Sequence, residues 1–401
     1  MRLSIPEWAE IIIEGMARVI VPKRDLFLRK DGVYEPSHAP VFYNPGMVFN
    51  RDLMIAFLNT YSRYSRVGTA SDPMAATGVR GVRIALEVMS VGEVYLNDID
   101  PIACKLMRSN VYMNSLASRT RIYCEDANQL MISLSKSGIH VDYLDIDPYG
   151  SPAPYIGNAV RHVRIGGVLA VTATDLGPLT GRYPAKTYRR YRSLIMPKVD
   201  FRKEMGLRVL IAYIASRASE ENIALTPILA YYADHYYRVY FSADKGASKA
   251  GKIVERIGYV AVCQRCSYRD VHDVREPVSR CPRCGSELYP IGPLWLGSLA
   301  DLEFSSKFSS DINKYSWLQT IKRISSLLDL IIQESQIDRP YFYRIDTLSR
   351  ISRINMPSRE KLIECLRSIG YRATRTHFDS IGIKTDANID DIYRCIATVC
   401  R

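Results

Sequence analysis

This sequence of 401 residues contains no long apolar run, although 47% of its residues are hydrophobic. A helix that crosses a bilayer needs roughly 18 or more consecutive apolar residues, so we predict no membrane segment. The first residues include Glu7, Glu10 and Glu14 and show no signal-peptide pattern. Internal repeats and long low-complexity tracts are also absent. These absences favour a cytoplasmic globular protein with room for two or three domains.

The nine cysteines do not suggest a disulfide framework, because their number is odd and four of them form two Cys-x-x-Cys pairs. Cys263-Gln-Arg-Cys266 and Cys281-Pro-Arg-Cys284 are separated by 14 residues. This spacing predicts a zinc ribbon in which four thiolates hold a structural Zn²⁺. The alternative, redox chemistry, would require a pair at the start of a helix in a thioredoxin-like unit. The other five cysteines are expected to be core or incidental residues.

Acidic residues are outnumbered, since 42 Asp and Glu face 54 Lys and Arg and leave a net charge of +12. Such a balance favours a polyanionic partner such as nucleic acid, and the alternative is a generally basic surface. Residues 182 to 203 are rich in basic side chains, and Tyr183, Tyr188 and Tyr191 lie among them. Basic groups meet phosphates and rings stack on bases. The candidate RNA contacts are Lys186, Arg189, Arg190 and Arg192, and the alternative is a solvated charged segment.

From residue 67 onward, strand patterns alternate with helical patterns, which predicts a parallel sheet of the doubly wound α/β class. The strands are expected at VGTASD, EVYLNDID, TRIYCED, VDYLDID and GGVLAVTATD. Upstream, Asn50 is a candidate N-cap that places Arg51 in the first turn of a helix. We predict three domains: residues 1–250 with an N-terminal extension and the sheet, 251–297 with the zinc ribbon, and 298–401 as an RNA-binding α+β domain.

The dinucleotide fingerprint Gly-x-Gly-x-x-Gly is missing after the first strand of this sheet, but acids end four successive strands. They are Asp72, Asp98, Asp126 and Asp147. Ligands of doubly wound sheets bind at the carboxyl ends of the strands, and Asp98 follows Gly78 at the spacing of a ribose-binding acid. S-adenosylmethionine offers a ribose and a positive centre without a pyrophosphate, so it suits this pattern. The alternative is that each Asp caps the helix that follows it.

The fourth strand ends in Asp147-Pro148-Tyr149, which presents hydrogen-bond acceptors and a ring. The lone pair of an exocyclic amine is delocalised into the ring, which makes methylation difficult. Acceptors that bind the N–H groups push the amine toward a tetrahedral geometry, and a carboxylate and a proline carbonyl are such acceptors. Tyr149 could stack on an extruded base. The carboxylate could collect the proton as the bond forms. The alternative is a turn in which Asp and Pro have only their usual local roles.

Eight short segments, spread from residue 42 to residue 386, follow one another in the order found in a known family. They are FYNPGMVFNRD, ATGVRGVR, NDID, DIDPYGSP, TDLGPLTGRYP, DHYYRVY, GPLWLG and GIKTDA. In these segments the sequence resembles the tRNA (guanine-N2)-dimethyltransferases. Two positions depart from the family pattern: Tyr149 stands where Phe is usual, and Thr180 stands where a Cys-Gly pair is common.

The resemblance implies a Rossmann-like methyltransferase domain that adds one or two methyl groups to N2 of guanine 26 in tRNA. It implies that S-adenosylmethionine is bound by Arg51, Arg80, Asp98, Asp126 and Ala127. It also implies that Asp147, Pro148 and Tyr149 hold the guanine. Asp234 and His235 could line the guanine pocket, or His235 could be a hydrogen-bonded structural residue.

We therefore expect a monomeric enzyme with tRNA as its partner and no obligate protein partner. One rival is a DNA or protein amino-methyltransferase. Such enzymes usually carry Pro-Pro after the acid or amide, whereas here Pro148 is followed by Tyr149 and Gly150. The other rival is a non-catalytic zinc-ribbon protein that binds RNA, which would have no need for acids at the strand ends.

Overall fold

The computed structural model describes residues 5–196, 199–273 and 280–400. Lys198, which belongs to the basic segment predicted to contact RNA, lies outside this described part. Within it the strands are β1 (Ala9–Glu14), β2 (Ala17–Pro22), β3 (Thr69–Asp72), β4 (Glu93–Asn97), β5 (Thr120–Tyr123), β6 (Val141–Ile146), β7 (Val163–Ala173), β8 (Ile223–Ala233), β9 (Tyr236–Lys245), β10 (Ile257–Val262), β11 (Arg269–Asp273), β12 (Tyr289–Trp295), β13 (Tyr343–Arg344), β14 (Ala373–Thr376) and β15 (Asp379–Thr385).

The α-helices of the described residues follow the same chain order. They are α1 (Val48–Tyr61), α2 (Val79–Glu87), α3 (Pro101–Met113), α4 (Ala127–Lys136), α5 (Ile156–His162), α6 (Leu176–Leu179), α7 (Pro184–Tyr191), α8 (Arg202–Ser219), α9 (Ala247–Val254), α10 (Leu302–Asp311), α11 (Ile321–Ser335), α12 (Ile345–Ser352), α13 (Arg359–Ser368) and α14 (Ile389–Val399). None of them is both long enough and apolar enough to cross a membrane.

The chain forms two compact units that alternate along the sequence. Unit 1 comprises Met1–Pro148, Pro154–Val171 and Ser306–Ser326. Unit 2 comprises Tyr149–Ala153, Thr172–Ser305 and Leu327–Arg401. The boundary therefore falls between Pro148 and Tyr149, inside the predicted base-holding tripeptide.

Unit 1 is built on parallel strands in the spatial order β5-β4-β3-β6-β7. Each strand after β3 is reached through a helix, as the alternating sequence pattern predicted. All residues of β6 are buried, as expected for a parallel strand that is covered on both faces. Chain order reverses between β3 and β6, which makes the edge next to these two strands the switch point of the sheet.

Unit 2 contains the hairpin of β8 and β9, whose turn is formed by the exposed residues Asp234 and His235. A second sheet has the order β11-β10-β12 and carries the four cysteines of the two Cys-x-x-Cys pairs at its ends. A third sheet, in the order β13-β15-β14, joins α12, α13 and α14 in an α+β arrangement. Together the two units confirm the predicted class: an α/β protein with a parallel sheet, a cysteine cluster and a C-terminal α+β part.

Two local expectations are wrong. Asn50 does not cap a helix, because α1 begins two residues earlier, at Val48. The short 3₁₀ turn that precedes α1 is capped by Asn44, whose side chain accepts from the N–H of Gly46. Four of the five cysteines expected to be core or incidental residues form disulfides, Cys104 with Cys124 and Cys365 with Cys395, and only Cys104 and Cys395 are buried. Their pairing was not predictable because each bond joins elements that only the fold brings together.

Candidate active site at the carboxyl edge of the parallel sheet

The acids predicted at the strand ends lie along one edge of the sheet in unit 1. Asp72 is the last residue of β3, Asp98 and Asp147 directly follow β4 and β6, and Asp126 lies three residues beyond β5. Neighbouring strands are in matching register, with Asp72 opposite Leu96 and Asn97 opposite Tyr123. Because parallel strands in register end at the same edge, these carboxylates share the edge where ligands of such sheets bind.

Arg80 organises the part of this edge nearest the switch point. The guanidinium is only 5% exposed; Nη1 lies 3.2 Å from Oδ2 of Asp145, and Nη2 contacts Oδ2 of Asp147. Nη1 also donates to Oδ1 of Asn50 at 2.9 Å. The residue expected to cap α1 is therefore a partner of Arg80. A buried guanidinium with carboxylate partners holds its neighbours in fixed orientations.

Asp72 lies close enough to Arg80, Asp145 and Asp147 to feel their charges, and it is 2% exposed. Burial is the main cause that raises the pKa of its carboxyl to about 8, and the charges of Asp145 and Asp147 raise it further while Arg80 lowers it. Asp72 is therefore mostly protonated at neutral pH. No pattern in the sequence indicated this neutral state.

Asp98 and Asp126 have different local roles. The oxygens of Asp98 accept from the N–H groups of Ala76, at 2.8 Å, and Asp100, at 3.0 Å. Oδ1 of Asp126 caps α4 by accepting from Asn128 and Gln129, so the capping alternative holds for this residue. Asp100, not Asp98, caps α3. The structure thus places Asp98 and Asp126 on adjacent loops, with the first residue of α4, buried Ala127, next to Asp126.

Arg51 pairs with a different acid from those that contact Arg80. It forms a two-pronged ion pair with Glu14, with Nε at 2.6 Å and Nη2 at 2.7 Å, and both side chains are almost fully buried. Arg83 lies 3.1 Å from the same carboxylate. Arg51 and Arg83 hold the pKa of Glu14 at about 2 against the effect of burial. A cofactor role for Arg51 remains a prediction, because in this structure its guanidinium faces Glu14.

Asp147 combines a fixed and an available oxygen. Oδ2 contacts Arg80, whereas Oδ1 accepts no hydrogen bond within residues 5–196, 199–273 and 280–400. The side chain is 19% exposed, in contrast to the fully buried Asp145 two residues earlier. Pro148 is buried, and the Tyr149 side chain that follows is 80% exposed. An oriented acceptor and an accessible ring therefore stand next to each other in the chain.

In unit 2, the short segment that begins with Tyr149 is tied to the residues after β7. Gly150 exchanges two hydrogen bonds with Thr174: its N–H donates to Oγ1 at 2.8 Å, and its carbonyl accepts from the N–H at 3.0 Å. Ser151 Oγ lies 2.7 Å from the hydroxyl of Tyr191, which also bonds both carboxylate oxygens of Asp175 at 2.8 Å. This network joins the segment to helix α7.

The basic residues predicted to contact RNA lie on and just beyond α7, and the structure separates them into two kinds. Arg189 and Arg192 are exposed, and Lys186 is half-buried. Arg190 donates to Asp175 at 2.9 Å, so part of its charge is already neutralised. Tyr191, expected among the stacking rings, is buried, whereas Tyr183 and Tyr188 are exposed. Composition alone could not separate Tyr188 from Tyr191, because the burial of each ring depends on what packs against the helix.

The second predicted site is a cluster of sulfur atoms in unit 2. Cys263, Cys266, Cys281 and Cys284 offer one Sγ each, all within 4.8 Å of one another. Four thiolates in this arrangement fit the closed tetrahedral shell of a structural Zn²⁺ and leave no position for a substrate. The cluster is therefore compatible with the predicted zinc site.

The fold and this edge define a class: a doubly wound α/β protein with a candidate ligand site at the switch point of its sheet, a cysteine cluster and an α+β part. Comparisons with known proteins narrow the class. The family model of the N2,N2-dimethylguanosine tRNA methyltransferases matches residues 15–397. The chain belongs to this family, and the predicted resemblance is confirmed.

Among the similar proteins is the tRNA (guanine(26)-N(2))-dimethyltransferase of Sulfolobus acidocaldarius, 39% identical over 385 residues that cover 96% of each chain. The tRNA (guanine(26)-N(2)/guanine(27)-N(2))-dimethyltransferase of Aquifex aeolicus is 33% identical over 388 residues, 96% of this chain and 95% of that one. The solved structure of Trm1 from Pyrococcus horikoshii with S-adenosyl-L-methionine superposes with a TM-score of 0.83 at 33% identity, and the match covers 98% of this chain and all of that one.

Two residues of the site escaped the sequence reasoning. Asp145 is on β6 and lies two residues before Asp147, which follows the strand. Side chains two residues apart point to the same face of a strand, so the sequence contained a signal for this residue. Asn50 offered no comparable signal, because its contact with Arg80 joins α1 to α2.

Proposed function

We propose that this chain transfers one or two methyl groups from S-adenosylmethionine to the exocyclic N2 of guanine 26 in tRNA, the reaction that the names of its relatives state. The observation that carries the proposal is the state of Asp147. One oxygen is fixed by Arg80, the other is available, and the exposed ring of Tyr149 follows after one proline.

These groups match what N2 of guanine requires. The available oxygen of Asp147 and the carbonyl of Pro148 are acceptors for the two N–H bonds of the amine, and together they direct its lone pair away from the ring. S-adenosylmethionine supplies the methyl group as an electrophile. Asp147 takes the amine proton as the N–C bond forms, and its negative charge offsets the positive charge that develops on N2. Tyr149 stacks on the guanine outside its helix.

On the cofactor side, Asp98 is the candidate for the ribose hydroxyls, and Asp126 with Ala127 is the candidate for the base. Arg80 orients Asp147 beside them. The relative from Pyrococcus horikoshii was solved with S-adenosylmethionine, and that likeness over nearly the whole chain supports the same cofactor here. For Arg51 we propose an indirect role, through its ion pair with Glu14.

For the RNA we propose that exposed Arg189 and Arg192, with half-buried Lys186, meet phosphates near the target guanine, and that Arg190 positions α7 through Asp175. We further propose a monomer that acts in the cytoplasm, with a structural zinc ion and the three-part division 1–250, 251–297 and 298–401. The disulfides are compatible with this location, because intracellular proteins of some thermophiles retain them.

The test is methyl transfer with labelled S-adenosylmethionine and an unmodified tRNA transcript. Parallel reactions use the same transcript with adenine at position 26, and the Asp147→Asn protein. A matched control is Asp142→Asn, a buried acid at the other end of β6 that holds the N–H groups of Gly68 and Thr69. Losing the charge of Asp147 is expected to lower kcat by about 10²–10³-fold.

Label that requires guanine at 26 and intact Asp147 supports the substrate, the site and the central residue together. Label that persists on the adenine transcript would leave the enzyme class standing and overturn the site on the RNA. Cofactor binding without transfer to any RNA would favour a DNA or protein amino-methyltransferase. Absence of both binding and transfer would favour a non-catalytic RNA-binding protein.

A further inference from the structure

The disulfide between Cys104 and Cys124 lies between the two loops that carry Asp98 and Asp126. Cys104 is on the first turn of α3, six residues after Asp98, and Cys124 follows β5 directly, two residues before Asp126. All of these residues belong to unit 1. The bond therefore links the start of α3 to the end of β5, beside the two loops that carry the cofactor acids.

Its surroundings connect it to both loops. Sγ of Cys104 lies 3.2 Å from the carbonyl oxygen of Asp98 and 3.7 Å from that of Tyr123. A second bridge lies close by: the buried side chain of Asn97 donates to the carbonyl of Glu125 at 2.9 Å and accepts from its N–H at 3.1 Å. The loops after β4 and β5 are thus joined by one covalent bond and two hydrogen bonds.

We propose that Cys104 and Cys124 are positioning residues for cofactor binding: their disulfide holds Asp98 and Asp126 at the separation that S-adenosylmethionine requires. This inference rests on the proposed cofactor roles of the two acids. Reduction adds two electrons and two protons, breaks the S–S bond and leaves two thiols. Without the covalent bond the two loops keep the hydrogen bonds of Asn97, and the binding-competent arrangement is populated for a smaller fraction of the time.

The alternative is that the bond contributes only to stability, and the chain offers a control for it. Cys365 and Cys395 form a disulfide between α13 and α14 in unit 2, where none of the predicted cofactor residues lies. The sequence separations are 30 residues for this bond and 20 for the other, so the two loops constrain the unfolded chain similarly. In each bond one cysteine is buried, Cys104 or Cys395, and its partner is more accessible.

The experiment compares the double variant Cys104→Ala/Cys124→Ser with the control Cys395→Ala/Cys365→Ser, in the full-length protein and well below the melting temperature of each. Calorimetry gives the Kd for S-adenosylmethionine, and methyl transfer gives kcat and the KM values for cofactor and tRNA. We expect the Kd and the cofactor KM to rise about tenfold in the first variant only. The KM for tRNA is expected to stay within about twofold in the first variant, since Cys104 and Cys124 are not among the predicted RNA contacts.

Wild-type protein treated with tris(2-carboxyethyl)phosphine provides a second measurement that needs no folding of a variant. The phosphine is oxidised to its oxide with oxygen from water while the disulfide is reduced. The same tenfold loss of affinity is expected, with no further loss when the first double variant is treated. An unchanged Kd on complete reduction, an equal rise in the control variant, or free thiols at Cys104 and Cys124 in untreated protein would each overturn the inference.

Failure of the proposed function would give different results. If wild-type protein binds S-adenosylmethionine but methylates no tRNA, the proposed substrate is wrong while the Kd comparison still tests the disulfide. If methyl transfer occurs and the Kd does not respond to reduction, the function stands and the positioning role does not. Wild-type protein without cofactor affinity would overturn both.

Discussion

Raising the pH from about 6 to about 8 is expected to destabilise unit 1 through Asp72, and replacing this residue by Asn should remove that effect. Burial raises the pKa of Asp72 to about 8, whereas an Asp in the unfolded chain keeps its ordinary pKa of 3.8. The folded protein therefore holds a proton that the unfolded chain has already released. The stability that comes from this proton is fully present below about pH 4 and is lost as the pH rises through about 8.

The magnitude follows from the linkage relation. Between about pH 6 and pH 8, a group with a folded pKa near 8 and an unfolded pKa near 4 changes the free energy of unfolding by about 2 kcal/mol. For a cooperative unit of this size that corresponds to a melting temperature lower by about 4–8 °C. Asn resembles the protonated acid and can keep the 3.4 Å hydrogen bond from the N–H of Met74, so it should fit without a charge to desolvate.

The assay is thermal unfolding of the wild type, Asp72→Asn and Asp142→Asn at several pH values in this range. The wild type and Asp72→Asn share all other titrating groups, so the difference between their two curves isolates Asp72. The Asp72→Asn protein should lose the pH dependence assigned to Asp72, and the control at Asp142, although less stable, should keep it. Parallel curves for wild type and Asp72→Asn would refute the buried neutral acid.

Two further predictions concern unit 2. Tyr191→Phe removes the hydroxyl that joins Ser151 to Asp175 and should lower kcat about tenfold, as expected for losing a buried hydrogen bond of ~1–3 kcal/mol, with an unchanged Kd for S-adenosylmethionine. Tyr188→Phe, on the exposed side of the same helix, should change kcat by less than about twofold, and equal losses in both variants would contradict the network. Metal analysis should find one zinc ion per chain. Cys281→Ser or a strong chelator should release the ion and lower the melting temperature of unit 2. Protein that melts identically without zinc would contradict a structural role.

The sequence alone determined the class of the fold and pointed to the edge of the sheet that holds the candidate site. Strand and helix periods differ, so their alternation after residue 67 was readable as a parallel sheet, and acids at strand ends were readable as a shared edge. The Cys-x-x-Cys spacing was similarly local, because two short turns present their thiolates wherever the ribbon folds. The tripeptide Asp147-Pro148-Tyr149 carried its chemistry in its own side chains and backbone.

Tertiary structure decided what each charge does. Arg80 meets Asn50, Asp145 and Asp147 across three elements. Asp72 becomes neutral because the core buries it and the charges of Asp145 and Asp147 lie nearby. Arg51 is turned to Glu14. The disulfide of Cys104 and Cys124 joins a helix and a strand end that are distant in sequence. Local patterns report backbone periodicity and turn chemistry, whereas burial, pairing and protonation depend on which distant residues fill the same volume.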